Sequence, residues 1–301
     1  MSCTHPHLAW RIWHEEDQKY AIHFLDGKGY DLKRAEAKYG KGDVLLIPCG
    51  KCLECRKAYA RNWANRCVLE ASSYKENWFV TLTYDDEHIG NNKLDKRDLQ
   101  LFLKRLRKKL TGQKIRYFAC GEYGEKTGRK HFHLILFNCE LPDVKSLGKG
   151  RIDGYYYESA LLSSCWDKGC SLLGDVSFSS CQYVARYCMK KLYQDSSDEF
   201  VLMSRRPGIG YNYLINNAAE LMKDDVIYFY SDNKVMMYPP RYWDKLFQKL
   251  DPVLYEQVKS KRLSNQDLSV ASEILRRGLK QKEDLFGVHE LLGSAVIKRG
   301  L

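Results

Sequence analysis

Between residues 78 and 192 the spacing of apolar side chains switches repeatedly between a period of two and a period near 3.6, an order few folds accept. WFVTLTY (78–84) is dense in β-branched and aromatic residues and reads as a strand. LDKRDLQLFLKRLRKKLTG (94–112) reads as a helix with Asp95 as N-cap and Gly112 as stop. Its Leu99, Phe102, Leu103, Leu106 and Leu110 form the buried stripe, while Lys104, Arg105, Lys108 and Lys109 mostly face elsewhere. Strands follow at KIRYFACGE (114–122) and HFHLILFN (131–138), joined by the polar turn YGEKTGRK. A weaker helical patch, ESALLSSCW (158–166), precedes a strand at GDVSFS (174–179), and a helix runs through CQYVARYCMKKL (181–192). The order is βαββαβ and then a helix. This is the split-βαβ, ferredoxin-like or RRM-like plan of the α+β class, an antiparallel sheet with helices on one face.

Three regions follow: residues 1–75 with a cysteine cluster and a helix from Leu53 to Lys75, the core at 76–195, and a basic loop with a mostly helical region at 196–301. Of the 301 residues 44% are hydrophobic and 21 are Tyr, enough for a substantial core rather than a disordered chain. No run is long and apolar enough for a membrane span. The first residues lack the basic-then-apolar layout of a secretory signal. Eleven cysteines, an odd number, are therefore expected to be reduced thiols in a cytosol rather than a disulfide scaffold. A net charge of +11 points to a polyanionic partner such as nucleic acid.

His131 and His133, two apart on a strand, point to one face about 6.6 Å apart along it. Phe132, Leu134 and Leu136 face the other way, and Ile135 and Phe137 continue the histidine face as apolar core. The pair thus sits where the strand emerges from the core. Taken alone it also reads as half-buried strand histidines. The hairpin brings Glu122 near His131 across the ladder. Glu125 competes for that position, and either glutamate reads equally as a solvated turn carboxylate. Two imidazoles and a carboxylate suit a divalent ion such as Mg²⁺ or Mn²⁺, with positions left open for phosphate oxygens.

Tyr183 and Tyr187 share a helix face, with Lys191 a turn later, Lys190 beside it and Arg186 adding charge. Aromatics at this spacing are more often core, but Val184 and Cys188 already supply an apolar stripe. A phenol is nucleophilic once deprotonated, from an ordinary pKa of about 10, and a nearby metal and lysines lower that cost. In MSRRPGIG (203–210), Arg205 and Arg206 precede a Pro-Gly turn; alone this reads as an exposed basic loop, though such arginines also cradle DNA phosphates. Cys49, Cys52 and Cys55 stand at two-residue intervals, with Pro48 and Gly50 favouring a zinc-knuckle turn. Tyr at position 59 weakens an iron–sulfur reading, and three thiolates need a fourth ligand.

HFHLILF, YVARYCMKK and a preceding strand ending in Glu together resemble the HUH (His-hydrophobic-His) endonucleases. More closely they resemble the rolling-circle replication initiators of small single-stranded DNA phages, the gokushovirus branch of the microviruses. IPCGKCLECRKAYARNWANR (47–66), FVTLTYDDEH (79–88), ACGEYGEKTGRKHFHLILF (119–137) and MSRRPGIG look like that group's blocks in the same order, and the likeness covers roughly residues 1–245. The resemblance implies that residues 76–195 are an HUH nuclease core. It implies a nick in single-stranded origin DNA, a 5′-phosphotyrosine link and a 3′-OH left for a host polymerase. Tyr183 and Tyr187 match the paired tyrosines, Lys190 and Lys191 the adjacent lysines, and His131 and His133 the metal motif. Glu122 would be the third ligand, which varies among HUH families. Arg186, Arg205 and Arg206 would meet DNA. Cys3 is the fourth zinc ligand the resemblance suggests, with His5, His7 and Cys67 open to that role. Host helicase and polymerase would be partners, in a bacterial cytoplasm. Two other readings compete: a non-catalytic, zinc-containing nucleic-acid-binding protein, and an HUH relaxase or transposase. The compact layout, with no visible helicase domain, favours the initiator.

Overall fold

The structure, a computed structural model, describes residues 3–17, 19–25, 32–91, 93–124, 127–149, 154–190, 198–225, 227–230, 234–237 and 239–265. The chain forms two compact units, residues 1–56 with 259–301 and residues 57–258.

The first unit holds β1 (His7–His14), β2 (Lys19–Phe24), α1 (Leu32–Tyr39) and β3 (Asp43–Ile47). Its strands form an antiparallel sheet in the order β2-β1-β3. Leu8, Trp10 and Leu46 point to one face, where Leu25 and Ala35 complete a small core. Strands such as HLAWRIWH interleave histidine and arginine with apolar residues, so their period-two signal is faint in the sequence.

The chain continues through α2 (Leu53–Ala71), β4 (Asn77–Tyr84), α3 (Lys96–Lys109), β5 (Arg116–Tyr123), β6 (Lys130–Phe137), β7 (Lys145–Lys149), β8 (Tyr155–Glu158), α4 (Ala160–Ser163), β9 (Gly169–Gly174) and α5 (Phe178–Lys190). After these come β10 (Phe200–Met203), α6 (Tyr211–Asp224), β11 (Ile227–Tyr230), β12 (Lys234–Met237), α7 (Arg241–Leu250) and α8 (Pro252–Ser264). Seven strands make one sheet in the order β10-β5-β6-β4-β9-β8-β7. Its centre, β5-β6-β4-β9, is the ferredoxin-like arrangement: the first strand of the βαββαβ run lies between the third and the fourth, antiparallel to both.

The two helices inside the βαββαβ run share one face, as the pattern predicts. Leu99, Phe102, Leu103 and Leu106 of α3 and Leu162 of α4 pack on Val80, Leu82, Phe132, Leu134 and Leu136. Asp95 caps α3 as expected, its side chain accepting from the Arg97 amide at 2.8 Å. The other face is covered too. Ala64, Cys67 and Val68 of α2 and Cys181, Val184 and Ala185 of α5 pack on Phe118, Cys120, Ile135 and Phe137. Strand β6 is consequently buried on both sides, and only His131 among its residues is part-exposed.

Three local expectations need correction. The strand expected at 174–179 lies at Gly169–Gly174, just before it. Ser177 and Ser180 cap each other reciprocally there: the Ser180 amide donates to Ser177 Oγ at 3.1 Å and the Ser177 amide to Ser180 Oγ at 2.8 Å. This capping box starts α5 where Val176 and Phe178 suggested a strand. Gly169 brings β9 against β4; its φ of 142° and the Thr83 carbonyl oxygen 2.2 Å from where a Cβ would stand admit only glycine. Strands β7 and β8, at residues 145–158, have no counterpart in the sequence reading, and α4 is a single turn.

Candidate active site

Antiparallel register sets the site. On β5 and β6, Glu122 lies directly opposite His131 and Cys120 opposite His133; on β4, Thr81 lies opposite His133 and Thr83 opposite His131. Glu122, both histidines and both threonines therefore share the sheet face that α5 covers. The hairpin joining β5 to β6 is braced from outside: the Gly124 amide donates to the Arg129 carbonyl at 2.9 Å, and the Arg129 guanidinium reaches the Tyr84 carbonyl at 2.8 Å and Asp86.

Three side chains meet at one oxygen. Glu122 Oε1 lies 2.8 Å from His131 Nε2, 2.9 Å from His133 Nε2 and 3.2 Å from the Tyr183 hydroxyl, which donates to it. Tyr183 stands edge-on to the His133 ring, centroids 5.0 Å apart, and Phe79 stacks on the other side of His133 at 5.4 Å. Glu122 is buried, and its second oxygen, Oε2, has no hydrogen-bond partner among the described residues. Burial alone would raise the Glu122 pKa, but the contacts from His131 and His133 outweigh it and hold the carboxylate below its usual range. Burial pushes the His133 pKa down, favouring neutral imidazole, against a partial pull upward from Glu122.

The far sides of both rings are also held. His131 Nδ1 lies 3.0 Å from the Arg129 carbonyl oxygen and His133 Nδ1 lies 3.0 Å from Thr81 Oγ1. A carbonyl only accepts, so His131 Nδ1 carries the proton and, in the neutral ring, Nε2 carries a lone pair. That lone pair faces a carboxylate oxygen at 2.8 Å, an arrangement of two acceptors that needs a proton or a cation between them. Neutral imidazoles with Nδ1 anchored, an ionised carboxylate and a buried orphan oxygen form a donor set that fits a divalent metal ion. The three ligand atoms lie within 4.8 Å of one another.

The structure thus brings together Glu122, His131, His133 and Tyr183. Tyr187 stands one turn further along α5, and Lys190 ends that helix; the side chains of both lie outside the described residues, as do Lys191 and Glu125 altogether. Arg186 is exposed on α5. Arg205 and Arg206 are exposed on a loop whose backbone is clamped from below. The Arg116 guanidinium pairs with buried Glu70 and donates to the carbonyls of Pro207 at 3.0 Å and Gly208 at 3.2 Å. Glu70 also accepts from the Gly210 amide at 2.6 Å, and Arg66 donates to the Ile209 carbonyl at 2.9 Å. In the other unit Cys3, Cys49, Cys52 and Cys55 gather, all four sulfurs within 4.8 Å of one another.

Thr81 is the site residue the sequence reading missed. Alternation along WFVTLTY puts Thr81 and Thr83 on one strand face, but which strand lies opposite is decided by the crossover, which no local pattern reports.

The family model for the replication-associated protein ORF2 matches residues 77–192, the stretch that carries every member of this site. The chain is 32% identical over 265 residues to the replication-associated protein ORF2 of Spiroplasma virus 4, covering 77% of this chain and 83% of that protein. The chain belongs to this family of replication-associated proteins. Two more relatives are the replication-associated protein VP4 of Bdellovibrio phage phiMH2K, 38% identical over 155 residues (49% of each chain), and the replication-associated protein ORF4 of Chlamydia phage 1, 33% identical over 219 residues (68% of this chain, 54% of that one). The chain spans about half the length of these last two. No solved structure matches it. For a replication-associated protein, a carboxylate, two imidazoles and a tyrosine at one point of the sheet form a site suited to phosphoryl chemistry. Among the described residues, no helix is long and apolar enough to cross a membrane.

Proposed function

We propose that this replication-associated protein initiates rolling-circle replication as an HUH endonuclease and strand transferase on single-stranded origin DNA. The observation that carries the reading is the Tyr183 hydroxyl, 3.2 Å from the same Glu122 oxygen on which both imidazoles converge. In this reading His131, His133 and Glu122 hold Mg²⁺ or Mn²⁺. Such an ion, when bound, polarises the scissile phosphate and stabilises negative charge on oxygen.

The chain's own groups do the rest. The Tyr183 hydroxyl gives up its proton, and Glu122 Oε1, already accepting from it, orients the oxygen. The phenolate attacks phosphorus, forming the P–O bond to tyrosine while the bond to the 3′ oxygen breaks; that oxygen leaves and takes a proton as the 3′-OH. The product is a 5′-phosphotyrosine link and a primer end for a host polymerase. Tyr187, one turn along the same helix, reverses the chemistry on a second strand, so the displaced strand is rejoined. Lys190 and Lys191 supply positive charge beside the phenols, and Arg186, Arg205 and Arg206 track the DNA backbone. Origin DNA and host helicase and polymerase are then the partners, in a bacterial cytoplasm.

The test is an adduct assay. Labelled single-stranded origin DNA and Mn²⁺ should give a covalent protein–DNA species that survives denaturation, and the Tyr183→Phe/Tyr187→Phe double variant should give none. Undiminished adduct in that variant would refute the role of the tyrosines. Salt-dependent binding that is never covalent in the wild-type chain would point instead to a binding protein.

A further inference from the structure

Four cysteines that play no part in the proposed chemistry come from distant parts of the sequence and meet in the unit that carries β1–β3. Strand register explains the meeting: His7 of β1 pairs with Ile47 of β3, so Cys3, just before β1, comes beside Cys49, just after β3. Cys52 follows across a turn in which Gly50 adopts φ 74°, a left-handed conformation that favours glycine. Cys55 lies in the first turn of α2.

The spacing of the sulfurs is informative. Cys3 Sγ and Cys52 Sγ are 3.8 Å apart, and Cys49 Sγ and Cys55 Sγ are 3.9 Å apart. Four thiolates bound tetrahedrally at about 2.3 Å from one zinc ion stand about 3.8 Å from each other. All four sulfurs lie within 4.8 Å of one another, a set compact enough for one ion rather than a multi-iron cluster.

Backbone amides are aimed at the sulfurs. The Cys49 amide donates to Cys3 Sγ at 3.3 Å, the Cys52 amide to Cys49 Sγ at 3.3 Å and the Cys55 amide to Cys52 Sγ at 3.5 Å. Such donors, with the N-terminal end of α2, offset the negative charge that four thiolates carry around a dication.

We propose that Cys3, Cys49, Cys52 and Cys55 bind one Zn²⁺ in a closed tetrathiolate site that folds the β1–β3 unit. A full set of four protein ligands leaves no position for substrate, so the ion is structural. The unit also needs it. Among the described residues its buried core consists of Leu8, Trp10, Leu25, Ala35 and Leu46, too few side chains to hold a three-stranded sheet and a helix unaided. An ion bound at Cys3 and Cys49 clamps both ends of the segment containing that sheet, and its binding energy becomes folding energy.

The test uses the full-length chain expressed with zinc supplied. Elemental analysis should find about one zinc per chain, retained in the His131→Ala/His133→Ala variant and lost in Cys52→Ser. Cobalt exchanged into the site should show the intense thiolate-to-metal charge-transfer bands of a tetrahedral sulfur site. Removal by a strong chelator should abolish hydrogen-exchange protection of β1, β2 and β3 peptides while β4–β6 peptides keep theirs. Should Cys52→Ser fail to fold, Cys52→His, which restores a ligand, should recover both zinc and protection. A chain that carries no zinc, keeps β1–β3 protected and has all four thiols open to alkylation would overturn the proposal. So would zinc that disappears with the two histidines instead.

Discussion

Thr81→Val changes one hydroxyl for a methyl of nearly the same size, and it isolates how the metal site is held. Thr81 Oγ1 lies 3.0 Å from His133 Nδ1, and it is the polar group that fixes the far side of that ring. The other contacts on the ring are apolar faces, Phe79 stacked at 5.4 Å and Tyr183 edge-on at 5.0 Å, which limit tilt but select no tautomer. Without the hydroxyl, Nδ1 is left buried without a partner, and the proton is free to move to Nε2, the atom meant for the ion. Loss of an outer partner of this kind costs about 10–100-fold in metal affinity, or about 1.4–2.7 kcal/mol. The matched control is Thr83→Val. Thr83 lies on the same strand face directly opposite His131, but the Arg129 carbonyl already fixes that ring's Nδ1. Calorimetric titration of both variants with Mn²⁺ should therefore weaken binding by one to two decades in the first and by less than threefold in the second. Equal losses in the two variants, or wild-type affinity in Thr81→Val, would refute the assignment of Thr81 as the residue positioning His133.

Other expectations follow from the same geometry. Glu70→Ala removes the carboxylate that pairs with Arg116 and accepts from the Gly210 amide, leaving a buried guanidinium unpaired; denaturant unfolding should show a loss of about 3–5 kcal/mol. The Arg205→Ala/Arg206→Ala variant, altered only at exposed side chains, should melt like wild type, yet its single-stranded DNA affinity should depend less on salt. Two lost phosphate contacts reduce the slope of log K against log salt by about 1.4. An unchanged slope would remove these arginines from the DNA interface. Ser177→Ala deletes half of the reciprocal cap that starts α5 and should cost about 1 kcal/mol in the same unfolding assay.

Much of the nuclease-like unit was legible because its signals are local. The stripe Leu99, Phe102, Leu103, Leu106 and the alternation in HFHLILF each encode a face, and both faces pack as that encoding requires. Glu122 opposite His131 was legible because a short polar turn permits only a hairpin register. What escaped depended on distant partners. Thr81 becomes a ligand's support only because β4 inserts beside β6. The strand at Gly169–Gly174 is dull in sequence, and the serine capping box after it competes with Val176 and Phe178 for the same residues. The β1–β3 sheet stayed hidden because its strands interleave charge with apolar residues and its core is small. The cysteine cluster was half visible: the two-residue intervals are local, whereas Cys3 joins them only through the β1–β3 register, 46 residues away from Cys49.

The convergence on Glu122 carries one more consequence, because the same carboxylate that suits a metal burdens the metal-free protein. At pH about 8, above the ordinary imidazole range, His131 with its Nδ1 proton committed to a carbonyl turns an unprotonated Nε2 toward Glu122 Oε1. The second carboxylate oxygen is buried with no hydrogen-bond partner among the described residues. Glu122→Gln should relieve both conflicts: the amide nitrogen can donate to an imidazole, the remaining oxygen still accepts from Tyr183, and no buried charge remains. Removing an unsatisfied buried group of this kind is worth about 1–3 kcal/mol. In chelator, Glu122→Gln should therefore unfold at higher denaturant than wild type. Saturating Mn²⁺ should reverse the order, since wild type gains about 2.7 kcal/mol at an ion concentration about one hundred times its dissociation constant and the variant gains little. A variant less stable than wild type in chelator would mean that the two imidazoles already hold the carboxylate satisfied by protons. The acceptor–acceptor argument for a cation at this point would then fail.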